Sequence, residues 1–229
     1  MSYRKSVTTS YIIVLSSLAI ILTLIKAEIP YPFLPYLKFD FAEVPVMFLL
    51  MAGGLGPALV AETIHWMGLT IRAGSILGPL MKYLAVIPML VGFWLGIETC
   101  KRFTAGREAK SLTVVFGVGM LMGIIIRVIV CSITNTVIFL LIEPRYLTYA
   151  GSMLKVIGIN VSSDLEILMW TLLLTAVFNS LHVPFSSVIA IITFKAAISR
   201  IPALAEKSWI SLREGAVQKP ANESQQRTT

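Results

Sequence analysis

The sequence predicts an all-α membrane protein of about six transmembrane helices, with the N- and C-termini both cytoplasmic. Three observations predict it. Of 229 residues, 56% are hydrophobic and only 14% charged, against roughly 25% charged in a soluble domain. Apolar runs recur at a length near the ~20 residues that a membrane-crossing helix needs. Basic residues gather beside those runs: Arg4 and Lys5; Lys101, Arg102, Arg107 and Lys110; Lys195, Arg200, Lys207 and Arg213. That is the pattern that holds flanking loops on the cytoplasmic side. Six spans put all three groups on one side, whereas five or seven would scatter them.

The first span covers residues 11–27. After it, Pro30, Pro32 and Pro35 stand among aromatic residues, which excludes a helix and predicts an ordered, extended loop. The next apolar stretch, 44–69, is interrupted by Gly53, Gly54, Gly56 and Pro57. It reads as two short helices, 44–52 and 57–69, joined by a tight turn. Pro57 then falls in the first turn of the second helix, where its missing N–H costs nothing. A fourth helix spans 76–97, with Pro79 and Pro88 as expected kinks. The fifth, 112–141, is longer than a perpendicular crossing and so tilts or projects. The sixth covers 165–198, and its beginning reads as a separate amphipathic piece. One membrane domain therefore occupies residues 1–205, followed by a polar tail over 206–229 that is expected to be disordered.

Several function classes drop out. The net charge is +7, but no basic stripe interleaved with aromatics exists, so no nucleic acid is expected as a partner. Two cysteines, Cys100 and Cys131, and two histidines make a poor metal-ligand inventory, and no metal is expected. No His-Glu-x-x-His, Gly-x-Ser-x-Gly, P-loop or dinucleotide fingerprint is present, so no cofactor is expected and ATP-driven work would need a partner protein.

Polar groups at membrane depth raise a functional hypothesis. In the sixth helix Thr175, Asn179, His182, Ser186 and Thr193 recur at helical spacing and form one polar face. Pro184, within that stripe, frees the Ser180 carbonyl. The face suits a small hydrogen-bonding ligand, or else joins helices through interhelical hydrogen bonds. In the fifth helix Arg127, Thr134 and Asn135 share a face, and Gly119 and Gly123 form a close-packing pair. Arg127 needs a carboxylate, and Glu62 is the expected partner. Lys82 and His65 pose the same question, His65 reading first as a structural residue. Asp40-x-x-Glu43 reads locally as a helix-capping arrangement. Phe33, Tyr36 and Phe39 are placed to cover a pocket.

The segment Pro35-Tyr-Leu-Lys-Phe-Asp-Phe-Ala-Glu-Val-Pro45, followed by Gly54-Leu-Gly-Pro57, resembles the substrate-binding (S) components of energy-coupling factor (ECF) vitamin transporters. The likeness is to the riboflavin-type group and extends over about residues 10–198. It implies a six-helix ECF S-component-like bundle in the cell (plasma) membrane that captures one vitamin with high affinity, riboflavin first. The expected partners are a transmembrane coupling subunit and two cytoplasmic ATPase subunits. The ligand-binding residues it implies are Asn135 and Asn179, with His182 where the family has Lys. Lys38 and Phe39 of the first loop, and Lys82 and Arg127 in the helices, complete the expected set. Lys82 stands where riboflavin binders usually carry Asn. With Arg127, that cation favours an anionic vitamin such as pantothenate as the alternative ligand. Of the family's small-residue docking surface on the first helix, only Ser16, Ala19 and Thr23 offer a counterpart. Two other classes stay open: an intramembrane enzyme built on His182 and Ser186, and an assembly protein without a ligand.

Overall fold

The computed structural model describes residues 3–104 and 112–210; the remainder of the predicted tail, 211–229, lies outside the described residues. The chain begins with α1 (Tyr3–Leu24). Lys26 then adopts the left-handed region at φ 56° while the Ala27 N–H returns to the Leu22 carbonyl at 3.0 Å. The chain is thus turned sharply out of the helix. The expected loop follows, and its two ends pair as a short antiparallel hairpin, β1 (Glu28–Pro30) with β2 (Lys38–Asp40). Proline is tolerated there because both strands are edges.

Helix α2 (Glu43–Gly53) and helix α3 (Leu55–Ala73) meet at Gly54, as the glycine cluster predicts. Gly54 has φ 86°, which a side chain would resist. A Cβ there would also lie 3.0 Å from the Trp209 ring. Val46, Met47, Leu49, Leu50 and Met51 of α2 are all fully buried, as expected of a helix apolar on every side. Packed among α1, α3 and α7, α2 forms the middle of the core.

Helix α4 (Leu77–Thr104) carries Pro88 in its interior without interruption. Pro79 is not a kink, because it lies in the first turn, where no helical N–H is needed. Helix α5 (Leu112–Val137) closes in a π-helical turn, Ile138–Ile142. The α4–α5 seam is held by Gly92 and Gly96 against Gly123 and Gly119, backbone to backbone. This is the close approach that small residues four apart permit.

The amphipathic segment lies ahead of the position expected for it. Helix α6 (Arg145–Val156) is separate and buries Leu147, Ala150, Gly151 and Leu154, at the helical spacing of one face. Helix α7 (Asp164–Arg200) is then continuous from its first residue. Ser163 caps it, its Oγ accepting from the Glu166 N–H at 3.3 Å. Helix α8 (Pro202–Lys207) and the residues after it turn back, burying Leu204 and Ile210 in the core. The packed domain therefore extends at least to residue 210.

Among the described residues, four helical segments are long and apolar enough to cross a membrane: Ser6–Leu24, Leu77–Cys100, Thr113–Ile142 and Asp164–Arg200. The small positions of α1 face inward. Ser16, Ala19 and Thr23 are buried, whereas Ile13, Val14, Leu18 and Ile21 point outward. Ser16, Ala19 and Thr23 are therefore unavailable as an outer docking surface.

Candidate functional site

The hairpin lies over a cavity of about 540 Å³ bounded by the ends of α3, α4, α5 and α6 and the middle of α7. That volume lies within the usual range of small-molecule sites. Its polar groups belong to a network that begins on the hairpin. Strand alternation turns Lys38 and Asp40 toward the cavity and Phe39 the other way. Phe39 is not part of the lining. It packs against Tyr31, Phe178, His182 and Phe185 at centroid distances of 5.0–6.1 Å, so it backs the wall rather than forming it.

Lys38 pairs with Glu28 across the hairpin, and Lys82 of α4 pairs with Asp40. The Asp40 N–H also donates to His182 Nε2 at 3.2 Å, and Asp40 Oδ1 accepts from the Ala42 N–H at 2.7 Å. Asp40 is thus the joint that fixes the hairpin to both α4 and α7. The Asp-x-x-Glu reading as a helix cap does not hold, since α2 has no side-chain cap and Glu43 points into the bundle.

Arg127 is 2% exposed and its donors are occupied. Its Nε donates to Asn179 Oδ1 at 2.9 Å. NH1 donates to Glu43 Oε2 at 2.9 Å and to the Met89 sulfur at 3.2 Å. NH2 lies 3.2 Å from His182 Nδ1 and 3.4 Å from Glu43 Oε1. The expected partner, Glu62, is engaged elsewhere, 3.2 Å from His65 Nδ1. His65 Nε2 is in turn hydrogen-bonded to Thr23 Oγ1 at 2.8 Å, which gives His65 the structural role its position suggested. A sequence signal for the true pair existed. Glu43 heads a wholly apolar 11-residue helix, and a carboxylate there must find a buried cation.

Two side chains in the lining are buried yet have no protein hydrogen-bond partner among the described residues. Asn135 is 8% exposed and Thr175 is 6% exposed. In α7 the polar stripe holds over Thr175, Asn179, His182 and Ser186, all buried. It ends there, because Thr193 is exposed and bonds its own helix at Ile189, while Ala190 and Phe194 continue the buried line. Asn135 comes from the last turns of α5, one face with Arg127. Apolar area is supplied by Met81, Ala85, Phe139 and Phe178. Tyr36 of the hairpin loop packs at a tilt against Tyr149 of α6, with ring centroids 5.9 Å apart. Burial, and then Tyr149, push the Tyr36 hydroxyl above its ordinary range. The expected residues Asn135, Asn179, His182, Lys38, Lys82 and Arg127 thus meet in one cavity. The sequence reading missed the lining role of Glu43, Arg72, Tyr146 and Tyr149. Among the described residues no group of three acidic, His or Cys side chains could hold a metal ion.

No family model matches the chain, and no curated protein matches it in sequence. A solved structure does match: the S component of a bacterial ECF transporter, at a TM-score of 0.64 and 21% identity. The match covers 85% of this chain and 97% of that one. Taken with the long apolar helices, that superposition shows an all-α membrane protein with the S-component fold of the ECF transporters.

Proposed function

We propose that this chain is the substrate-capture subunit of an ECF-type transporter, and that its ligand is a flavin-sized vitamin of the riboflavin type, either riboflavin itself or a charged derivative. The observation that carries this reading is the pair Asn135 and Thr175, largely buried polar side chains without protein partners that line a cavity of about 540 Å³. Their polar atoms face the cavity rather than protein, so a ligand that hydrogen-bonds to them gains roughly 0.5–1.5 kcal/mol for each bond. An amide offers both a donor and an acceptor, which suits the polar edge of a flavin ring. The apolar face of the ring would lie against Phe139, Phe178 and Met81.

Riboflavin is neutral, and the cations inside the helices do not oppose it. Lys82 and Arg127 are each matched by a carboxylate, which removes the main argument for pantothenate from those two residues. In this proposal α1, α2, α3, α4, α5 and α7 are the six spans, with both termini cytoplasmic and the hairpin facing outward. Held by Asp40, the hairpin encloses the ligand. A transmembrane coupling subunit and two ATPases in the cell membrane supply the energy for release.

The first test is an absorbance and fluorescence scan of the purified protein before any ligand is added. A flavin spectrum near one equivalent is the expected result. A colourless protein that leaves added riboflavin fluorescence unchanged would sink the flavin assignment. Asn135→Ala and Thr175→Val are each expected to weaken flavin binding about tenfold, which is about 1.4 kcal/mol, without changing the heat-denaturation midpoint. Equal affinity in both variants would place the recognition elsewhere.

A further inference from the structure

Among the described residues four cations line the cavity, and three of them are neutralised by its own carboxylates while the fourth is not. Lys38 pairs with Glu28, Lys82 with Asp40 and Arg127 with Glu43, which uses every carboxylate in the lining. Arg72, in the last turn of α3, has no ion-pair partner among the described residues. Its hydrogen bond runs from NH1 to the Thr23 carbonyl at 2.6 Å, which leaves most of a five-donor fork open.

An arginine in the last turn of a helix ordinarily complements the negative end of the helix dipole. This one reaches across to α1 instead. Thr23 is itself held, through its hydroxyl, by His65, and His65 by Glu62. The guanidinium is therefore positioned by a buried chain of groups, at the exposed rim of a cavity whose other charges cancel. A planar fork fixed in this way matches the oxygens of a phosphate or a carboxylate.

We infer that Arg72 is a specificity-determining residue, and that the preferred ligand carries an anionic group, a phosphate monoester or a carboxylate, seated on Arg72. This rests on the capture reading above and deepens it. The neutral interior takes the body of the ligand while the rim takes its charged end.

The test is a binding titration of purified full-length protein with riboflavin, riboflavin 5′-phosphate and pantothenate, for the natural sequence, Arg72→Gln and Arg72→Lys. At least one anionic compound is expected to bind more tightly than riboflavin. Arg72→Gln is expected to weaken that compound about tenfold, the scale of a charged hydrogen bond, and riboflavin less than about twofold. Arg72→Lys, which keeps the charge and loses the fork, should recover part of the loss. A preference for the flavin phosphate assigns a phosphate, and a preference for pantothenate assigns a carboxylate. If riboflavin binds and neither anion binds more tightly, the inference fails and the capture reading stands. An equal loss for all three compounds in Arg72→Gln would make Arg72 structural and also overturn it. If none of the three binds, the capture reading for these vitamins fails and takes the inference with it.

Discussion

Gly96→Val is expected to abolish the folded protein, or to lower its heat-denaturation midpoint in detergent by on the order of 10 °C or more. A Cβ on Gly96 would stand 2.7 Å from the Gly119 Cα and 2.7 Å from the Val118 carbonyl oxygen. One on Gly92 would stand 2.7 Å from the Met122 carbonyl oxygen and 2.8 Å from the Gly123 Cα. Those neighbours are backbone, so no side chain can swing aside, and the helices themselves must separate. Overpacking a site with movable neighbours already costs about 1–3 kcal/mol; here the whole α4–α5 seam loses contact together. Between lipid-facing helices that packing is the main attractive force, since lipid tails are as apolar as the side chains. Gly117→Ala is the control. Nothing lies within 4 Å of its Cβ position, so the substitution should be neutral or gain up to about 1 kcal/mol of helix propensity. Monodisperse elution of the Gly96→Val protein with an unchanged midpoint would show that the seam is not closed as described.

What could be read from the sequence was the part that local chemistry decides. Gly54 with Pro57 marks a break in an apolar run whatever surrounds it, and the break is where the pattern puts it. Glycines four apart forecast a close helix crossing, and the crossing is there. Partnerships were not readable in the same way. Arg127 lies 84 residues from Glu43 and 65 from Glu62, and only the docking of α2 inside the bundle decides between them. The same docking turns Ser16, Ala19 and Thr23 inward, although the family resemblance offered them as an outer docking surface. The amphipathic piece was expected at the start of the sixth helix and is instead the separate helix α6, because Pro144 and the break around Gly158 set it apart from both long helices. Strands β1 and β2 were missed because three residues with a proline carry almost no strand signal. Phe39 was placed in the binding set with Lys38 on the strength of the family resemblance, when strand alternation sends it to the opposite face.

Glu43→Ala is expected to destabilise the protein by about 3–5 kcal/mol, because it leaves the Arg127 charge buried without a carboxylate. Arg127→Ala should cost a similar amount by stranding Glu43, which is fully buried. The informative measurement is the double variant Glu43→Leu with Arg127→Met. Replacing a buried ion pair by apolar residues of similar volume is often close to neutral, so this variant should be more stable than either single one. Full recovery is not expected. Asn179 Oδ1 would lose its donor from Arg127 at 2.9 Å, and Ser186 Oγ would lose its acceptor on Glu43 at 3.3 Å. His182 Nδ1 would lose its contact with Arg127 NH2. Recovery of more than half of the single-variant loss, read from denaturation midpoints in one detergent, is the predicted outcome. A double variant as damaged as the sum of its parts would mean that the two residues act independently. The cavity would then be wet enough to solvate each charge separately, and its floor would be open to direct ligand contact through Arg127. With coupling, Arg127 is a structural member of the floor, and the groups left to face the ligand are Asn135, Thr175 and the rim.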